Sequence, residues 1–183
     1  PTGQLGYVET IFVLDAPAAS FGVDGAIEFA SKEDAFVYRH PDTPIDYRSS
    51  VLCSPGNFVG MAGGMGEDQV RLTRLANPAF WLDAPEDLYG RAKEEAIKHE
   101  TRALEERYPA LRGHILDVDM FTPKTVWRYT GHINGSVYGS PEKVRDGRTP
   151  VESLYICGTD QGFLGIVGAL LSGVSIANLH LLR

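Results

Sequence analysis

The chain has 183 residues, of which 43% are hydrophobic and 22% are charged, so it can form a sizeable core in one large domain or in a domain and a fragment. Its formal net charge of -7, from 17 basic and 24 acidic residues, argues against binding nucleic acid through a broad basic surface. Cys53 and Cys157 form no CxxC pair and no metal-ligand spacing with the five histidines. We therefore predict no metal site, and we expect two buried, reduced thiols rather than a disulfide.

Short strands are predicted through the first part of the chain. Residues 6–14 are rich in β-branched and aromatic side chains, which favours a strand. In residues 70–75, Val70 and Leu72 alternate with Arg71 and Thr73, as in a strand with one buried face. Gly, Pro, Asp and Ser separate the segments, so an antiparallel or mixed sheet is predicted. The other strand candidates are residues 26–29, 35–38, 50–53 and 58–61.

A long amphipathic helix is predicted after Asp83. Asp83 is the expected N-cap, Pro85 lies in the first turn, and Glu86 completes a capping-box-like pair. Apolar residues then recur at helical spacing opposite a charged face, until the helix ends near Tyr108. Residues 113–130 are expected to form strand and loop, and residues 131–150 to form a long ordered loop.

The last thirty residues have the pattern of a strand, a Gly-rich turn and a helix. The strand is predicted at 154–157, the turn at 158–162, and the helix from about Gly165 to about Leu182. Free N–H groups at the start of such a helix can bind an anion or the polar edge of a ring. Small residues form a stripe along the helix, and its other positions are so apolar that we expect the helix to be buried. The stripe consists of Gly165, Gly168, Ala169, Ser172 and Gly173.

Two other interpretations of this segment stay open on spacing alone. Residues 162–182 contain no charged side chain, a length that could span a bilayer. The turn could also serve only to pack the helix on a sheet, because it matches neither GxGxxG nor GxxxxGK[ST].

Particular motifs near the C-terminus resemble those of a known family. The sequence VESLYICGTD at 151–160, followed by GIVGALLSG at 165–173, resembles the closing segment of phytoene dehydrogenase-like flavoproteins. That family includes carotenoid desaturases, carotenoid isomerases and retinol saturases. A second similarity to the same family lies in TPKT at 122–125, in Arg128 and Tyr129, and in GSVYG at 135–139. The resemblance covers residues 85–183 well and residues 1–80 loosely.

The resemblance implies an α/β or α+β fold and a site for FAD. Residues 1–150 would belong to a sheet-based substrate domain, and residues 151–183 would close a Rossmann-like FAD-binding domain whose N-terminal unit is absent. Gly158, Thr159 and Asp160 would lie near the ribityl-pyrophosphate. The N–H groups of Gly165, Ile166 and Val167 would face the edge of the flavin ring. The candidates for contact with substrate are Arg128, Tyr129, Tyr138 and Phe163; no catalytic residue is assigned.

The function implied by the resemblance is the C-terminal portion of an FAD-dependent oxidoreductase. It would transfer a hydride between flavin and an apolar, isoprenoid- or carotenoid-like substrate. The chain shows no dinucleotide-binding fingerprint, so we expect it to bind FAD weakly or not at all by itself and to be inactive alone. Two alternatives stay open, namely an amine-oxidase-like flavoprotein with a polar substrate and a non-enzymatic binding module.

The expected partners follow from the same resemblance. They are an apolar small molecule and either a second copy of the chain or the missing N-terminal half, with no nucleic acid. No signal peptide is visible, so a cytoplasmic location is expected, with peripheral membrane contact as a further expectation for the parent protein.

Overall fold

The computed structural model describes residues 5–35, 40–60 and 68–182. The chain divides into two compact units, one that runs to Gly135 and one that begins at Ser136. The first unit combines a β-sheet with helices, and the second consists of loops around one α-helix. The division expected at residues 150 and 151 concerns the domains of a larger protein and stays a prediction.

The first unit is built on an open, antiparallel, five-stranded sheet with the order β2-β3-β4-β1-β5. This confirms the antiparallel option for the sheet, while the closing part of a Rossmann-like domain is not confirmed. The strands are β1 (Gly6–Leu14), β2 (Ile27–Ser31), β3 (Ser49–Cys53), β4 (Asp68–Ala76) and β5 (Ile115–Phe121).

Among the described residues, three α-helices belong to this unit and one to the second. They are α1 (Pro78–Asp83), α2 (Glu86–Arg107), α3 (Pro123–Thr130) and, in the second unit, α4 (Gly165–Ile176). Helix α2 confirms the long amphipathic helix and its end beside Tyr108.

The core of the first unit lies between one face of the sheet and α2. Alternate residues of the two longest strands, β1 and β4, are buried on this face, as the alternation of residues 70–75 predicts. Leu104 packs with Phe12 and Leu72, and Ala96 packs with Val8 and Trp81 in a second cluster. Burial of this apolar surface is the main force that holds α2 on the sheet.

A buried ion pair interrupts that core. Arg74 on β4 donates from Nε to Glu100 Oε1 on α2 at 2.5 Å, and both side chains are almost fully buried. Arg74 also donates to the carbonyl oxygens of Tyr47 and Ser49. Burial, with the nearby Glu100 carboxylate, raises the pKa of Tyr47 to about 12. Burial lowers the pKa of the adjacent His99. The Arg74–Glu100 pair is therefore largely shielded from solvent, and its charges act on the neighbouring Tyr47 and His99.

Several predicted elements differ from the structure. Asp83 is not the N-cap of α2, because it is the last residue of α1 and Pro85 takes the N-cap position. Asn77 caps α1 by accepting from the N–H of Ala79. Helix α3 replaces the strand and loop expected there, because Thr122 and Thr125 form a reciprocal capping box and Pro123 occupies the first turn.

One strand candidate is not found at its described positions, and a second lies mostly outside the described residues. Residues 58–60 form a turn, whereas Met61 lies outside the described residues. Most of the candidate at 35–38 also lies outside them, and Ala35 itself is in a bend.

The second unit consists of ordered loops around α4, which continues as a π-turn at Ala177–Leu181. Residues 154–157 are not a strand. Among the described residues of this unit, their only β-pairing is the isolated bridge between Tyr155 and Arg148. The N–H of Ile156 donates to Gly147 O at 2.8 Å beside it. A strand needs a neighbour along its length, and no strand of the unit supplies one. The loop expected at 131–150 is confirmed apart from a short turn at Ile133–Gly135.

Two further points from the sequence concern a helix that could span a bilayer and the burial of the two thiols. Within residues 5–35, 40–60 and 68–182, no helix combines the length and apolarity required to cross a membrane. Both cysteines are free thiols; Cys53 is half-buried, but Cys157 is exposed rather than buried as expected.

Candidate functional site

The candidate site is the turn before α4 and the first turn of that helix. Three glycines give this segment its path, because Gly158, Gly162 and Gly165 have φ values of 87°, 119° and 74°. These left-handed backbone angles are unfavourable for residues that carry a Cβ. The Gly-rich turn predicted from the sequence is thus required by the backbone itself.

A chain of hydrogen bonds fixes the turn to α4. The N–H of Gly158 donates to Ser172 Oγ at 2.5 Å, and the Ser172 hydroxyl donates to Gln161 Oε1. Gln161 Nε2 in turn donates to Arg145 O at 2.9 Å. Ser172 and Gln161 are buried, so these bonds are shielded from water. Gln161 was not among the predicted site residues, although a glutamine in a Gly-rich turn beside a Ser-bearing helix face was a signal available in the sequence.

Part of the small-residue stripe of α4 faces the unit's own turn, whereas Gly165 and Gly173 have no neighbouring atom within 4 Å of an added Cβ. A Cβ on Gly168 would lie 3.1 Å from the carbonyl carbon of Phe163, and Ile176 packs over Gly147. Gly168 therefore permits the close backbone approach that the stripe predicts, and the approaching backbone is the turn itself.

Asp160 holds a neighbouring loop in place. Its Oδ1 accepts from the N–H of Ser140 at 2.7 Å, and its carbonyl oxygen accepts from the N–H of Val144 at 2.9 Å. Gly139 lies so close that a Cβ there would be 2.2 Å from Asp160 Oδ1. One carboxylate oxygen of this predicted cofactor residue thus has a structural partner. Thr159, beside it, is half-buried in the same short turn.

The first turn of α4 presents uncapped N–H groups. Leu164 occupies the N-cap position and its side chain provides no hydrogen-bond acceptor. The N–H groups of Gly165, Ile166 and Val167 belong to the turn that has no intrahelical acceptors. Ile166 and Val167 are 92% and 69% exposed, so this helix start is accessible.

The outer face of α4 differs from the buried helix that the sequence predicts. Large apolar side chains on this face are exposed by half or more. The helical period places these side chains away from Gly168, Ser172 and Ile176, which pack against the unit's own turn and loops. The exposed residues are Ile166, Val167, Leu170, Leu171 and Val174.

The residues predicted to contact substrate are divided between the two units. Arg128 and Tyr129 lie on the exposed side of α3, with the guanidinium carbon 5.9 Å from the centre of the tyrosine ring. Tyr138 and Phe163 belong to the second unit. Tyr138 is exposed, and its carbonyl oxygen accepts from Lys143 Nζ at 2.6 Å. Phe163 is partly exposed beside Gly168.

No group of three or more His, Cys, Asp or Glu side chains in the described part of the chain could hold a metal ion.

Comparison with known proteins gives a limited similarity. No family model matches this chain. Over 105 residues it is 29% identical to the all-trans-retinol 13,14-reductase of Danio rerio. The match covers 52% of this chain and 17% of that reductase, so the chain spans a small part of the relative's length.

Proposed function

We propose that this chain is the C-terminal part of a flavin-dependent oxidoreductase, related to the phytoene dehydrogenase-like flavoproteins. The observation that carries the proposal is the start of α4, where uncapped N–H groups follow a turn built on three left-handed glycines. The motif resemblance at 151–173 covers this same segment. The similarity to a protein named as a retinol reductase supports the redox class and an isoprenoid substrate.

The residues of the turn suit the edge of a flavin. A helix start carries a partial positive charge, which would stabilise negative charge on a reduced flavin ring. Gly165, Ile166 and Val167 would direct their N–H groups to that edge, while Gly158 and Thr159 would lie beside the ribityl-pyrophosphate. FAD, when bound, supplies the hydride chemistry, and the protein orients it and excludes water.

Asp160 fits this arrangement in a more limited way. Its Oδ1 already accepts from Ser140, so part of the acceptor capacity of this carboxylate is used within the chain. We therefore propose that Asp160 acts mainly by positioning the loop at 139–144. The division into a substrate part at 1–150 and an FAD-contacting part at 151–183 belongs to the same proposal, as does contact of Arg128, Tyr129, Tyr138 and Phe163 with substrate.

Protection of a thiol at the start of α4 tests the placement of the flavin. The substitution Ile166→Cys puts a thiol at an exposed position of that turn. It is made in the natural protein that contains this chain, with Cys53→Ser and Cys157→Ser as background. We expect it to react with a maleimide several-fold more slowly when the protein is loaded with FAD than after the flavin has been removed.

Leu182→Cys is the matched control, because Leu182 is 74% exposed beyond the far end of the helix. Its thiol should react at the same rate with and without flavin. Equal rates for Ile166→Cys in the loaded and stripped proteins would contradict contact between flavin and this helix start.

A further inference from the structure

Strand β2 forms an apolar edge of the sheet. Among the strands that the structure describes it pairs with β3 alone, and its side chains Ile27 and Phe29 are 49% and 82% exposed. Asn57 donates from its side-chain amide to two carbonyl oxygens just before β2, which holds the loop after β3 beside the start of the strand. The next residues of that loop, Phe58 and Val59, are exposed as well. Contiguous apolar surface of this kind marks a place where another protein surface binds.

The backbone of β2 presents unpaired hydrogen-bonding groups along this edge. Two bonds that flank the strand set the alternation, because Lys32 N–H donates to Arg48 O at 2.8 Å and Ser54 N–H donates to Ala26 O at 2.9 Å. In an antiparallel pair such bonds recur at every second residue. The even-numbered residues of β2 therefore bond to β3, and the odd-numbered ones direct their N–H and C=O groups away from the sheet. These outward residues are Ile27, Phe29 and Ser31.

This edge lacks the features that commonly prevent strands from pairing with other chains. Lysine, proline and free charges are such features, and β2 contains no lysine or proline. Its one charged residue, Glu28, accepts from Arg107 and from the hydroxyl of Tyr108 at the end of α2. The charge of Glu28 is thus held within the unit. The opposite edge strand, β5, differs, because it carries the exposed carboxylates of Asp117 and Asp119.

We infer that β2 pairs with β2 of a second copy of this chain, antiparallel and about a twofold axis at Phe29. Phe29 then lies opposite its counterpart, and Ile27 lies opposite Ser31 of the second copy. All three residues direct their backbone groups outward, so each donates one hydrogen bond and accepts one across the axis. The two phenylalanine rings form a cross-strand aromatic pair, and Lys32 lies diagonally across from Glu28 of the second copy.

Charge and symmetry favour this register. A shift that set Glu28 opposite its counterpart would bring two carboxylates together, and the opposite shift would set Ile27 opposite the exposed Glu33. Pairing of β2 with β5 of another copy would place apolar side chains beside Asp117 and Asp119, and it would continue into an open chain of copies. The twofold pairing of β2 instead closes at two copies and covers the apolar edge of both.

Sedimentation velocity of the natural protein that contains this chain, at several concentrations, tests the pairing. We expect a dimer, and Phe29→Asp should weaken dimerisation roughly a hundredfold or more, because it removes the aromatic pair and opposes two carboxylates. Phe29→Tyr keeps the ring and should keep the dimer. Leu116→Asp, at an exposed position of the other edge strand, is the matched control and should keep the dimer too.

Three results of this experiment would overturn the inference. They are a protein that is monomeric at every concentration, a Phe29→Asp protein that dimerises as tightly as the unchanged one, and assemblies that Leu116→Asp dissociates. Because Phe29 is largely exposed, its substitution should leave the unit folded, and far-UV circular dichroism checks this.

Amide hydrogen exchange within β2 gives a second test that needs no variant. In concentrated protein the N–H groups of Ile27, Phe29 and Ser31 should exchange roughly tenfold or more slowly than in dilute protein, because the second copy accepts from them. The N–H groups of Glu28 and Ala30 already donate to β3 and should change little. Exchange at the three outward amides that does not depend on concentration would count against the pairing.

The inference is independent of the proposed function, because neither measurement uses flavin or turnover. Failure here would leave the proposed flavin contact of α4 intact, and failure of that contact would leave the pairing of β2 intact.

Discussion

Replacing Glu100 with alanine is expected to destabilise the first unit by about 3–5 kcal/mol. The substitution leaves the Arg74 guanidinium almost fully buried between β4 and α2 without its carboxylate partner. Carbonyl oxygens of Tyr47 and Ser49 still accept from Arg74, but they bring no compensating charge. Equilibrium unfolding in urea, followed by circular dichroism, measures the loss.

Two further variants separate the ion pair from other effects. Glu94→Ala removes an exposed glutamate from the same helix and should change stability by no more than about 0.5 kcal/mol. Arg74→Met with Glu100→Leu removes both charges and should restore most of the lost stability, because apolar replacement of a buried pair is often neutral. A Glu100→Ala protein as stable as Glu94→Ala would show that the pair does not hold α2 on the sheet.

Gly139→Ala should destabilise the second unit by roughly 2–5 kcal/mol, from the sum of backbone strain and steric overlap. The residue has a φ of 67°, and a Cβ there would lie 2.2 Å from Asp160 Oδ1. Asp160 must then move, and it would release the N–H of Ser140. Amide hydrogen exchange at Ser140 and Val144 measures this local loss.

Gly158→Ala is the control for the backbone contribution. Gly158 has a φ of 87°, but no heavy atom lies within 4 Å of the position of its Cβ. Its substitution should therefore cost only the backbone strain, about 1–2 kcal/mol. If Gly139→Ala accelerates exchange at Ser140 no more than Gly158→Ala does, Asp160 is not the residue that holds this loop.

The elements predicted correctly from the sequence are those in which a hydrophobic period repeats over many consecutive residues. Strands β1 and β4 alternate over nine residues each, and α2 repeats its apolar face over 22 residues. The sequence interpretation missed α1 and α3, which are short and rich in aromatic or β-branched residues. Their starts were nevertheless encoded, in Asn77-Pro78 and in Thr122-Pro123 with Thr125.

Long-range contacts could not be read from such patterns. The Arg74–Glu100 pair joins residues 26 apart on different elements, and the Asp160–Ser140 bond joins residues 20 apart. The Glu9–Arg71 contact depends on the register that sets Ile11 opposite Arg71 and Glu9 opposite Thr73. The exposed outer face of α4 was also missed, because its apolar composition alone indicated burial on all sides.

The flavin content of the natural protein that contains this chain is the most direct test of the proposed function. That protein and the 183-residue chain alone are each purified, incubated with excess FAD and passed through gel filtration. We predict that the natural protein retains about one flavin per molecule, whereas the chain alone retains little or none, because it shows no dinucleotide-binding fingerprint. A natural protein that retains no flavin, or a chain that binds FAD tightly by itself, would contradict the account.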